Sequence, residues 1–359
     1  MRLTADPLRS PALAAVRALA AVAVAAVLPA VGGAAEVPAA VPGSEASLAL
    51  AIGANLAQAR DMATALAAAM VSAPNARIAI DPATDPGPEE LARLGVSEQV
   101  RIEVGPPAAT LLVWIIRPAP AADSPRGQRG SILFLHGICS SRGEHLGHAR
   151  HVAAQGYTAV LPDLRGQGRS TGQWLTYGWQ EARDLQRLLD VLSERRLMPA
   201  PVGVFGASYG AATANLLAAI EPRVKAVVSV ASYTAMAEVV PQYVREFAPF
   251  LRTMVNDQQI QEAVAAAGRL AGFDPAEASP LDAVRRHAVP TLFLHGEKDI
   301  NIPYHHAEQL AAAARGPCRL VAVPGAAHHC GGSEFVRTQA MAWFDRWLGP
   351  GDPAAAGAE

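Results

Sequence analysis

The sequence predicts an α/β fold: a mostly parallel sheet with helices on both faces and a small helical lid insertion. Three observations predict it. Between residues 98 and 348, short apolar runs alternate with amphipathic helical patterns, and that alternation is the mark of βαβ units. Some runs, such as Ser131–Leu135, are apolar throughout, as strands covered on both faces require. Hydrophobic residues make up 51% of the 359-residue chain and charged residues 17%, which supplies ample core and excludes disorder across the whole chain.

The elements follow in order. Arg2, Arg9 and Arg17 precede an uncharged run from Ala18 to Leu28, then Pro29, Gly32, Gly33, Ala34 and Ala35. A basic start, a short apolar core and a small-residue exit compose a signal peptide over residues 1–35. Its apolar core is too short to span a bilayer as a helix. The chain is therefore expected to be exported, periplasmic or secreted, and to meet a membrane only through an uncleaved leader. Residues 36–97 read as a helical extension, because Leu48, Ile52, Leu56, Met62, Leu66 and Met70 recur at near-helical spacing over 45–73. Its expected role is packing on the main domain, and Pro82, Pro86 and Pro88 mark an irregular connection after it.

Strands are predicted at Gln99–Val104, Thr110–Ile116, Ser131–Leu135, Thr158–Leu161, Val202–Phe205, Ala226–Val230, Thr291–Leu294 and Arg319–Val323. Helices are predicted at Ala149–Gln155, Glu181–Arg195, Ala211–Ala219, His305–Ala314 and Glu334–Leu348. Residues 235–286 break the alternation with two amphipathic helices, about 236–256 and 258–271, and read as the lid insertion. The tail, 349–359, is Pro, Gly, Ala and acids, and is expected to be disordered.

Composition removes other functions. The formal charge of −2 gives no footing for a polyanion, so nucleic acid is not an expected partner. Three cysteines cannot build a disulfide scaffold, and no CxxC pair offers structural zinc. His145, His148 and His151 stand three apart; all three cannot turn toward one ion on a helix, so no metal is expected and the segment reads as a solvated helix start. Asp163–Ser170 lacks the ending of a phosphate-binding loop and reads as a structural turn.

The chemistry lies at three strand ends. Gly206-Ala207-Ser208-Tyr209-Gly210 sits between a strand and a helix, the setting in which a sharp turn presents a serine nucleophile. Its activation needs a base and an acid that orients the base. If the order is Ser, acid, His, both partners follow Ser208. The loop after Thr291–Leu294 supplies Asp299, with Glu297 as its rival; the loop after Arg319–Val323 supplies His328, with His329 as its rival. The backbone N–H groups of Ile138 and Tyr209 are the candidate oxyanion donors, with Cys139 as the alternative to Ile138. Trp174, Tyr177 and Trp179, with Tyr243 from the insertion, are candidates for the substrate-binding wall.

On His136-Gly137, Asp163–Ser170, Gly206–Gly210, Gly296 with Asp299, and Gly325 with His328, the chain resembles the α/β-hydrolase superfamily. The likeness covers residues 98–348 and points to its serine-hydrolase branch, serine aminopeptidase-like and carboxylesterase-like. It departs at Gly105-Pro106-Pro107, where relatives often carry an Asp-Gly turn. The resemblance implies an eight-stranded sheet, hydrolase activity, no required cofactor, and internal contacts for Arg165. The expected activity is cleavage of a small-molecule carboxylic ester through an acyl-enzyme. A peptidase or amidase is the nearest alternative, with Glu238 or Glu246 holding a terminal ammonium, and a non-catalytic binding protein is a further one. A Cys139–Cys330 disulfide is weighed against three unpaired thiols, with Cys318 buried in either case.

Overall fold

A computed structural model describes residues 62–76, 79–118, 129–247 and 255–349. The expected signal peptide, the first part of the extension helix and the tail lie outside the described residues. No described helix is long and apolar enough to cross a membrane.

Eight strands form one sheet: β1 (Glu98–Val104), β2 (Ala109–Ile116), β3 (Ser131–Leu135), β4 (Thr158–Pro162), β5 (Val202–Ala207), β6 (Val224–Val230), β7 (Thr291–Gly296) and β8 (Cys318–Val323). They lie in the order 1-2-4-3-5-6-7-8. β1 and β2 are antiparallel, β2 pairs antiparallel with β4, and the pairings from β4 through β8 are parallel. The central strands β3, β4 and β5 are buried along their whole length, which explains why they read as continuous apolar runs rather than alternating ones.

The helices are α1 (Met62–Val71), α2 (Pro88–Arg93), α3 (Leu146–Ala154), α4 (Trp179–Glu194), α5 (Tyr209–Ile220), α6 (Met236–Phe247), α7 (Asp257–Ala271), α8 (Pro280–Arg286), α9 (His305–Ala313) and α10 (Glu334–Leu348). One apolar cluster joins the sheet to α4 and α5 through Leu185, Leu188, Leu189 and Leu217. Another joins its opposite face to α3 and α10 through Val152, Phe344 and Leu348. Helices therefore cover both faces of the sheet.

Three features differ from the sequence reading. α2 falls where an irregular connection was expected: Pro88 starts it, its one turn of fixed φ suits a helix N-terminus, and Glu89 and Glu90 face the positive end of the dipole. The insertion carries a third helix, α8, opened by the Ser279 side chain accepting from Asp282 N–H. Finally, His145 and His148 are not solvated. Both are buried and pack against Phe205, with ring centroids 5.0 and 5.2 Å away. Neutral imidazole is flat and polarisable, so it serves there as a core aromatic.

The described part of the extension packs on the insertion of the main domain. α1 lies on α7 through Ala65, Leu66, Ala263, Val264 and Ala267, all buried in one cluster. Its exit, Ser72, bridges to Trp174, and Leu175 N–H donates to Val71 O. Two segments remote in sequence thus form one cap with α6.

Candidate active site

Ser208 follows β5 with φ 53° and ψ −115°, a region a non-glycine residue holds only under constraint. The two flanking glycines are required by space. A Cβ on Gly206 would stand 2.2 Å from Gly210 O, and one on Gly210 would stand 2.1 Å from Leu135 O. Ser208 N–H donates to Val230 O at 2.8 Å, which fastens the turn to the next strand.

His328 reaches the same point from the loop after β8. Its Nε2 lies 2.9 Å from Ser208 Oγ, and its Nδ1 lies 2.7 Å from Asp299 Oδ2. Asp299 comes from the loop after β7, and its Oδ1 accepts from the backbone N–H groups of Asn301 and Ile302, both at 2.9 Å. Burial alone would raise the Asp299 carboxyl; hydrogen bonds from His295, His328 and Ile302 outweigh it and hold the group well below the usual carboxylate range. Ser208, His328 and Asp299 are therefore brought together. The rivals are not: Glu297 accepts from Gly325 N–H at 2.8 Å, and His329 stands edge-on to His328, ring centroids 5.2 Å apart.

Tyr209 is the first residue of α5, where a helix leaves its N–H without an internal acceptor. Among the described residues neither that N–H nor the Ile138 N–H has an acceptor. Cys139 N–H donates to Gln167 Oε1 at 2.7 Å, so the alternative donor is already used. The loop is held at both sides. Gly137 N–H donates to Glu144 Oε2 at 3.0 Å. His136, fully buried, has Nδ1 at 2.7 Å from Gly137 O and accepts Leu164 N–H on Nε2 at 2.9 Å. That pattern fixes the proton on Nδ1.

Of the aromatic candidates, Tyr177 and Tyr243 draw near the site. Burial pushes both phenols up, and a Cys139 thiolate would raise them further; Tyr243 also feels Asp299. Tyr177 has φ 54° and is braced on three sides. Its N–H donates to Tyr209 Oη at 3.0 Å, its carbonyl accepts from Tyr233 at 3.1 Å, and its hydroxyl donates to Met70 O at 3.1 Å. Trp174 packs in the cap cluster. Trp179 turns to the insertion, tilted on Phe273 at 6.1 Å and bonded to Glu277.

No disulfide joins the three cysteines, so the Cys139–Cys330 bridge is not made. Cys318 is exposed, not buried: it stands at the outer end of β8, the strand at the sheet's edge. Arg165 makes the internal contacts expected of it, 2.6 and 2.8 Å to Asp184.

Sequence reading missed Glu144, Gln167 and Glu181. Glu181 is wholly buried and accepts from Tyr209 Oη at 2.7 Å and Thr176 Oγ1 at 2.6 Å. A glutamate in the first turn of a helix signals a capping role, but nothing local shows that its donors include the residue after the nucleophile.

Comparison with known proteins agrees with the fold. The family model described as X-Pro dipeptidyl-peptidase (S15 family) matches residues 119–246, and that described as BAAT / Acyl-CoA thioester hydrolase C terminal matches residues 191–331. An esterase of Pyrococcus furiosus superposes with a TM-score of 0.55 at 18% identity, covering 75% of this chain and 98% of that one. The chain is a serine-hydrolase-like member of the α/β-hydrolase superfamily. The acylaminoacyl peptidase of Pyrococcus horikoshii shares the fold too, with a TM-score of 0.51 at 16% identity over 75% of this chain and 45% of that one. In sequence, the Bacillus subtilis protein YqkD is 25% identical over 223 residues, 57% of this chain and 67% of its own.

Proposed function

We propose that this α/β-hydrolase cleaves carboxylic esters of small molecules through an acyl-enzyme on Ser208. The observation that carries the reading is the chain from Ser208 Oγ through His328 to Asp299, at 2.9 and 2.7 Å, beside two backbone N–H groups without acceptors. His328 Nε2 takes the Ser208 proton as Oγ attacks the carbonyl, and Asp299 keeps Nδ1 protonated and steadies the imidazolium. Ile138 and Tyr209 N–H receive the oxyanion, each worth about 2.7–4 kcal/mol of barrier. His328 then protonates the leaving alcohol, and in the second half-reaction it draws a proton from water. None of these steps needs a cofactor.

Ester over amide is supported by the half-buried Cys139, Trp174, Tyr177 and Tyr243 that pack against the cap cluster, an apolar wall suited to an acyl chain. The Pyrococcus furiosus relative is itself described as an esterase. The match to an X-Pro dipeptidyl-peptidase family keeps a peptidase as the second reading. An exopeptidase needs an anchor for the substrate ammonium. Glu238 is a poor one, because it lines a cavity of about 430 Å³ with Gln242, Asp257 and His306 whose lining holds none of Ser208, Asp299 and His328. The Glu246 side chain lies outside the described residues. Nitrophenyl esters of graded chain length, run beside aminoacyl-anilides, test the choice. Faster turnover of anilides than of every ester overturns the ester reading.

We also infer export, on the leader-like pattern of residues 1–35. Amino-terminal sequencing of the protein from a bacterial periplasm or medium checks it: an intact Met1 in a cytoplasmic fraction overturns it.

A further inference from the structure

Asp299 has a second imidazole against it. His295, the fifth residue of β7, is fully buried, and its Nε2 lies 2.6 Å from Ile302 O and 3.3 Å from Asp299 Oδ2. Both neighbours are acceptors, so Nε2 must carry the proton: a bare nitrogen would set a lone pair against a lone pair. His295 Nδ1 is also buried and has no partner among the described residues. A proton placed there would strand a charged N–H in the core. Geometry alone therefore fixes His295 as the neutral Nε2–H tautomer.

This hydrogen bond closes a ring. Ile302 N–H donates to Asp299 Oδ1, Ile302 O accepts from His295, and His295 shares the same proton with Asp299 Oδ2. The loop carrying Asp299 is thus tied at its far end to a residue inside the sheet. His295 also competes with His328 for one oxygen. An Oδ2 that accepts from two imidazoles pulls less on the His328 Nδ1–H than one that accepts from a single donor.

We propose that His295 is a positioning residue of the hydrolytic centre, aiming Asp299 at His328 and tempering how strongly Asp299 favours the His328 imidazolium. This rests on the reading of Ser208, His328 and Asp299 given above. The titratable groups around the pair are Tyr304, edge-on to the His295 ring at 5.8 Å, and His306 from α9. Tyr243 from α6 and Cys330 from the histidine loop act on Asp299, and His329 stands against His328.

The test compares His295→Leu, which removes the donor, with His295→Gln, which keeps an N–H donor at that reach. Leu should lower kcat about 10- to 100-fold while KM stays within about twofold, as expected for a lost hydrogen bond to a charged group. It should also move the acid limb of the kcat/KM profile upward by about half a pH unit or more, because His328 is then held more firmly as the imidazolium. Gln should recover most of kcat and return the acid limb to its original place. A folded Leu variant with the original pH profile, or a folded Gln variant no better than Leu, overturns the proposal. If Leu does not fold, ¹⁵N NMR of the unmodified protein decides: a His295 proton on Nε2 alone sustains the proposal, and one on Nδ1 overturns it. A fluorophosphonate probe separates the two readings. Failure to label Ser208 defeats the hydrolase assignment, whereas labelling with an unchanged pH profile defeats only the role of His295.

Discussion

The loops at the carboxyl edge of the sheet and the cap packed against them are held by different means. Each edge loop takes its place from the strand that precedes it. Ser208 follows β5, Asp299 follows β7 and His328 follows β8, and neighbouring loops are laced by backbone bonds such as Lys298 N–H to Ala326 O at 2.9 Å. The cap joins α1, α6 and α7, and its α1–α7 seam is made of alanines and a few aliphatic side chains. A site built on strand ends is rigid because the sheet is rigid. A seam of small residues depends on close approach along its whole length and yields to one oversized side chain. On the reading proposed above, chemistry belongs to the first region and substrate access to the second.

The largest effects should break the edge alone. Ser208→Ala is expected to lower ester turnover by about 10⁴-fold or more without changing the thermal midpoint, since only the nucleophile is lost. Retention of more than a few per cent of turnover in a pure sample would refute the assignment. Asp299→Asn should follow, at roughly 10²- to 10⁴-fold, because an amide donating N–H toward His328 favours the wrong tautomer. Glu297→Gln should stay close to the unsubstituted rate, as the Glu297 carboxylate accepts from the Gly325 backbone N–H and not from His328. If it proved the worse lesion, the acid would be misassigned.

The same contrast explains what could be read from the sequence. The meeting of Ser208, His328 and Asp299 was legible because the turn at Gly206–Gly210 and the loops after β7 and β8 are fixed by residues within a few positions of each other. His295 lies in a buried strand end, and nothing local to it in the sequence shows that it faces Asp299, which depends on how Asn301 and Ile302 fold the loop back. α1 was read as a helix, but its partner was not readable, because alanine at many positions carries no directional signal. The buried pair His145 and His148 was misread for a related reason: their surroundings, Phe134 and Phe205, arrive from β3 and β5.

The cap should fail separately. Ala267→Leu places a branched side chain where α1 and α7 meet at a fully buried position, and overpacking of that kind lowers stability by about 1–3 kcal/mol. The expected signature is a raised KM for long-chain esters with an unchanged rate of labelling by a small fluorophosphonate. Labelling that slowed in step with the loss of ester turnover would show that the cap shapes the triad as well, and the division drawn above would fall.

Acid should act on the core beneath both regions. Burial first, then neighbouring His145, Arg337 and His151, push His148 down to about 4, while an unfolded histidine titrates near 6.5. Between those values the unfolded chain binds a proton that the folded chain does not, so stability falls as pH falls. From pH 7 to 5 the loss is roughly 1–2 kcal/mol for this one group. Asp299 plays no part in that window, because its carboxyl is held below the usual range and its contribution fades only in stronger acid. His148→Leu should therefore shrink the drop in urea midpoint between pH 7 and 5. An equal drop in both proteins would mean that His148 protonates without penalty.

The smallest expected effect concerns the thiols, two of which belong to edge loops. With no disulfide among the three cysteines, a reductant should leave both turnover and thermal midpoint where they were. Alkylation should then rank the sites by access and by thiolate content. Cys318, exposed at the end of β8, should react first. Cys139 is half-buried in the loop after β3 and packs against the cap cluster, so it should react more slowly. Cys330 is buried, and burial pushes its thiol up to about 11, with the nearby Asp299 charge adding to the shift, so it should react last. Blocking Cys139 with a bulky maleimide should impair long-chain esters before short ones, since Cys139 packs on the same cluster as Tyr177 and Tyr243. Mass spectrometry of an unreduced digest sets the baseline: a peptide pair linked through Cys139 and Cys330 would show that the two loops are tied covalently, and the rigidity credited to strand ends would belong in part to that bond.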